Sequence, residues 1–137
     1  MNICSVILVS LITFFSSVLY AADGKASFYS DKMQGQRTAS GERYNKTLYT
    51  AAHASLPFDT LVKVINKQNG KSVIVRVNDR MSHSRHAIID LSKAAAAKLE
   101  IVRAGFGNVQ LQEVTNNGLK QQVLSSAVSE VIPAPAH

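Results

Sequence analysis

A chain of 137 residues suffices for one domain and is short for two. Fifteen Lys and Arg against nine Asp and Glu leave a charge of +6, but the cations are scattered, with no Arg-rich run or aromatic–basic interleaving, which argues against nucleic acid as partner. The single cysteine, Cys4, lies in an apolar leader, so the remainder has neither disulfide nor thiol chemistry.

From Ile3 to Leu19 the side chains are apolar apart from Cys4, serines and a threonine, and Asp23 is the first charged one. Residues 1–22 read as a secretory signal peptide with its small-residue exit at Ala21-Ala22. An uncleaved membrane anchor is the alternative, since the run approaches spanning length. On either reading the rest of the chain is exported to the periplasm or cell envelope. Cys4 stands at the start of the apolar run, whereas a lipidated cysteine would follow it, so no lipid anchor is expected. An exported basic domain suits an anionic envelope, or the excess charge serves solubility alone.

Lys25 to Ser30 forms the first strand candidate, and the polar stretch from Asp31 to Asn45 reads as a long loop of the kind that carries function. Leu48 to Ala52 begins a second strand, stopped near Pro57. Two β-rich runs, Leu61 to Ile65 and Val73 to Val77, flank Gln68-Asn69-Gly70; Asn-Gly between such runs predicts a hairpin whose turn residues accept positive φ. Ala87 to Leu91 is a further strand, after which Ser92 caps a helix over Lys93 to Glu100. Gly105-Phe106-Gly107 breaks the chain before an alternating strand, Asn108 to Val114. About six short strands and one small helix favour an all-β closed barrel, which leaves no exposed edges. Residues 116–137 form a largely unstructured tail, with a weak helix possible over 119–131.

Asp79 ends a strand of branched residues, in Val77-Asn78-Asp79-Arg80. A carboxyl held rigidly and partly shielded from water can keep a proton near neutrality and protonate a leaving oxygen. An Asp–Arg ion pair or an Asx turn is the structural alternative. Glu42, after Gly41 in the long loop, either pairs with Asp79, holds a sugar hydroxyl, or is simply solvated. His53 closes a strand and either orients a carboxylate, contacts substrate, or is a satisfied structural group. Asp90 is flanked by core residues, and a structural place near the helix start suits it. His83 and His86 make an H-x-x-H pattern, but zinc wants three or four ligands, so no metal site and no cofactor are expected.

Ala26-Ser27-Phe28-Tyr29, Thr38-Ala39-Ser40-Gly41-Glu42-Arg43-Tyr44-Asn45, Thr50-Ala51-Ala52-His53, Leu56-Pro57-Phe58, Val73 to Arg80 and Ile88 to Ser92 occur in an order that resembles the rare lipoprotein A (RlpA) family of septal ring lytic transglycosylases. The likeness runs from about Gly24 to Val114 and implies a six-stranded double-psi β-barrel over 23–115, with peptidoglycan glycan strands as partner. Active members cleave the bond between N-acetylmuramic acid and N-acetylglucosamine without water, leaving a 1,6-anhydro sugar. The resemblance places Asp79, Glu42 and His53 at the catalytic positions. Asp79 would donate a proton to the leaving oxygen and take one from the muramic acid 6-hydroxyl, while Glu42 and His53 position the sugar or tune Asp79. The chain departs from the family at Phe28 (usually Trp), at Ser30 (commonly Gly) and at Met81-Ser82-His83, where a Gly-Pro-aromatic turn is usual. It also shows no lipid signal and no SPOR domain for septal targeting. A non-catalytic, expansin-like wall-binding module is the alternative from a different class, and a protein-interaction or inhibitor barrel a third.

Overall fold

The computed structural model describes residues 19–83 and 86–115, together with residues 124 and 127. Along the chain come β1 (Ala21–Phe28), a 3-10 turn (Asp31–Met33), β2 (Thr50–His53), β3 (Leu61–Asn66), β4 (Ser72–Arg80), β5 (Ile89–Leu91), α1 (Lys93–Leu99) and β6 (Gly107–Glu113). The strands close in the order β1-β5-β2-β4-β3-β6, with β6 returning to β1. Two of the contacts, β1 with β5 and β2 with β4, are parallel, and the others are antiparallel. This is the six-stranded double-psi barrel that the resemblance implies.

Alternation builds the interior. In β3 every second residue is buried, and Val62 and Val64 face Val73, Val75 and Val77 of β4. Val109 and Leu111 of β6, with Ile89 and Leu91 of β5, complete the same cluster. Each such side chain contributes about 1.5–3 kcal/mol when fully buried, which lets a barrel of this size hold together without covalent cross-links. Helix α1 covers the core through Ala95, Ala96 and Leu99. The Ser92 hydroxyl accepts the Ala95 amide at its start, as the capping pattern predicts. The helix ends one residue early, because Glu100 takes a left-handed conformation at φ 60°.

Three other details differ from expectation. Strand β1 starts at Ala21, inside the segment read as leader, because Ala21 and Ala22 pair with Gln112 and Leu111 of β6. The β3–β4 turn is a four-residue loop, since the Asn66 amide donates to the Lys71 carbonyl (2.8 Å) and the Gly70 amide to the Asn66 carbonyl (2.8 Å). Within that loop only Gly70 has positive φ, while Asn69 instead uses its side chain, donating to the Leu99 carbonyl at the end of α1 (3.1 Å). The leader before residue 19 lies outside the described residues, as does the tail helix apart from residues 124 and 127.

Candidate active site

Strand β2 runs between β5 and β4. Its Ala52 pairs with Asp90 on one side and with Asp79 on the other, and Ser27 of β1 extends the row beyond Asp90. Residues paired across a sheet share a face. With neighbouring strands about 4.8 Å apart, the backbones of the two aspartates stand about 10 Å from each other across the small Ala52 side chain.

Asp79 accepts all of its hydrogen bonds. Its Oδ1 takes the amides of Ala39 (2.8 Å) and Arg80 (2.8 Å), and its Oδ2 takes the Tyr29 hydroxyl. All three partners are donors, and together they fix both carboxyl oxygens in place. Tyr29 is buried and stacks against Tyr44, with ring centroids 4.4 Å apart. Burial, followed by the bond to Asp79, pushes its phenol well above the usual tyrosine range, so it stays a donor.

Asp90 differs. Burial and, to a smaller extent, the charge of Asp79 raise its pKa to about 6, against a lowering by the Ser27 hydroxyl, which donates to Oδ1 at 3.1 Å. Two carboxyls of one row thus lie in different surroundings, Asp90 raised by burial and Asp79 held by three donors. Asp90 stands two residues before the cap residue Ser92, near the helix start as expected, and lies on the same row as Ala52 and Asp79. The burial alternation of Ile89-Asp90-Leu91 shows that Asp90 points off the core. What it points toward depends on pairing with a strand almost forty residues earlier.

Neither of the other two expected residues hydrogen-bonds Asp79. Glu42 is held by Arg76 through two bonds (2.7 and 2.8 Å) and by the Asn78 amide nitrogen (3.3 Å), and these hold its carboxyl below the usual range. The pairing of Glu42 with Asp79 is therefore not made. Nor does Asp79 pair with Arg80, whose guanidinium lies over Phe58 (4.2 Å) and donates to the His53 carbonyl (3.3 Å).

His53 is buried, and its Nδ1 accepts the amides of Ser55 (3.1 Å) and Leu56 (3.0 Å). In the neutral ring the proton therefore sits on Nε2, which meets the Tyr20 hydroxyl at 3.2 Å. Burial, then the charges of Arg80 and His83, lower its pKa. It borders a cavity of about 200 Å³ lined in part by Tyr20, Ser55, Ser82 and His83. Asp79 does not line that cavity. Among the described residues no three or more of His, Cys, Asp and Glu come together as a metal site would need.

The closed six-stranded mixed barrel with its single helix defines the class of double-psi β-barrel proteins. The profile of the lytic transglycolase family matches residues 21–111, and the chain belongs to that family. It is 44% identical over 113 residues to the endolytic peptidoglycan transglycosylase RlpA of Pasteurella multocida, covering 82% of this chain and 38% of the relative. Over 96 residues it is 48% identical to the protein of that name from Vibrio cholerae, covering 70% of this chain and 36% of the relative. The chain thus spans under two-fifths of the length of either. Among solved structures it is similar to a Streptomyces papain inhibitor (TM-score 0.56, 26% identity, 70% of this chain and 96% of that one). An expansin from Clavibacter michiganensis shares the fold at a TM-score of 0.56 and 22% identity, covering 71% of this chain and 52% of that one.

Proposed function

We propose that this chain is an exported peptidoglycan lytic transglycosylase, working in the periplasm or cell envelope and cutting glycan strands internally to leave 1,6-anhydro-N-acetylmuramic ends. Family membership supports the reaction class. The observation that supports the assignment of roles is the Asp90–Ala52–Asp79 row, in which burial raises the pKa of Asp90 while Asp79 accepts from three donors.

Asp90 donates its proton to the glycosidic oxygen, and the bond from that oxygen to the muramic acid anomeric carbon breaks. Asp79 accepts the proton of the muramic acid 6-hydroxyl, whose oxygen closes on the same carbon. No water is consumed, and exchange with solvent restores both carboxyls. This pair differs from the arrangement the resemblance implies, in which Asp79 performs both transfers. Tyr29 and the Ala39 amide hold Asp79 in place for its step. His53 takes a supporting part, organising the turn after β2 through the Ser55 and Leu56 amides.

Incubation with purified sacculi and mass spectrometry of the released fragments tests this. The native protein is expected to release anhydro-ended fragments, and Asp79→Asn and Asp90→Asn each to slow release by about 10²–10⁴-fold with the fold retained. Full release by Asp90→Asn would return both steps to Asp79. Sacculus binding without any anhydro product would instead make the chain a wall-binding module.

A further inference from the structure

We propose that Glu42 and Arg76 are positioning residues, forming a clamp that keeps the Ala39 amide on Asp79, and that Glu42 does not touch the glycan. The loop over 38–42 is tied to itself: the Glu42 carbonyl accepts the Thr38 amide (2.7 Å) and hydroxyl (2.8 Å), and the Gly41 amide donates to the Thr38 carbonyl (3.0 Å). Gly41 makes the bend at φ 91°, where side-chain-bearing residues are strained. Such a knot moves as one piece.

Four contacts join that piece to β4. Ala39 donates to Asp79, the Ser40 amide donates to the Asn78 carbonyl (3.3 Å), and Glu42 takes both guanidinium nitrogens of Arg76. Asn78 also reaches the Glu42 carboxylate, and Asp59 accepts from the same Arg76 nitrogen that binds Glu42 (3.0 Å). A two-pronged Arg–carboxylate pair fixes direction as well as distance. Arg76 and Asn78 precede Asp79 by three residues and one, so they hold the loop on the same strand that presents Asp79. The energy of an ion pair this exposed is small. Its effect is geometric, and losing it frees the loop end that carries Ala39.

The test uses the full chain and has two readouts, of which the first stands without the transglycosylase reading and the second rests on it. In nuclear magnetic resonance without glycan, the Ala39 amide proton shift is followed against pH. The Tyr29 hydroxyl, the Arg80 amide and the charge of Asp90 also face Asp79, so Asp79→Asn and Asp90→Asn identify which carboxyl the amide reports. The amide is expected to follow Asp79 in the native protein and to lose that dependence in Glu42→Gln and in Arg76→Ala. In turnover of glycan strands both variants are expected to lose about tenfold in kcat with KM unchanged, and the double variant no more than either. An amide that still tracks Asp79 in both variants overturns the clamp. So does a raised KM in Glu42→Gln alongside full activity in Arg76→Ala, since that pattern puts Glu42 on the sugar. If the native protein releases no product, the transglycosylase reading fails, and the amide titration still decides the clamp.

Discussion

Asp90 lies between Ser27 and Ala52, half-covered by the sheet, and binds its proton more tightly in the folded chain than in the unfolded one. Its contribution to stability is therefore complete below its ordinary pKa of 3.8 and is lost as pH rises through about 6. Solvent screening of a half-covered side chain limits the effect to about 1–2 kcal/mol. Urea midpoints at about pH 4 and pH 7.5 check this against Asp90→Asn, with the native protein expected to lose more over that interval. Parallel behaviour would count against a shielded proton on Asp90. His53 works in the opposite sense: its lowered pKa makes its contribution present above its ordinary pKa of 6.5 and lost as pH falls below it. Both proteins contain His53, so it drops out of the comparison.

Strand β1 makes the N-terminal boundary a matter of ladder hydrogen bonds. Ala21 and Ala22 belong to the pairing with β6, the Tyr20 amide donates to the Glu113 carboxylate (3.2 Å), and the Tyr20 ring sits edge-on to His53 at 5.1 Å. A chain beginning at Asp23 is thus expected to be about 1–3 kcal/mol less stable than one beginning at Tyr20, measured by urea unfolding. Equal stabilities would show that these pairs contribute nothing. Gly105, before β6, and Gly107, its first residue, serve different purposes. Gly105 adopts φ 83° in open space, whereas a Cβ on Gly107 would come within 2.5 Å of the Ile101 side chain. Gly107→Ala is therefore expected to cost about 1–3 kcal/mol through overpacking, and Gly105→Ala about 1 kcal/mol through backbone strain. Relief of the Gly107→Ala defect by Ile101→Val, seen as recovered melting temperature, separates the two causes.

At the level of the whole molecule, closure brings distant segments into one surface. The row of Ser27, Ala52, Asp79 and Asp90 draws on four strands, two of its three junctions being parallel pairings. Parallel neighbours need long crossovers, so residues that meet across them are far apart in the chain. The place of Asp79 at a strand end was legible because it follows a run of branched residues contained in one short stretch. That it shares a row with Asp90 was not, because Ala52 lies between them in space but outside both local patterns. Glu42 and His53 were legible as polar side chains near the site, while their partners, Arg76 and Tyr20, lie on other elements.

Side-chain period and turn chemistry are local properties. They determined six strands, a helix capped by Ser92, a hairpin around Gly70 and an all-β barrel. Where β1 begins, which carboxyl shares a row with Asp79, and that Glu42 binds Arg76 follow from tertiary contacts alone. The reason is physical: a proton affinity depends on burial and on charges within a few ångströms, and those are set by strand order and register, not by neighbours along the chain.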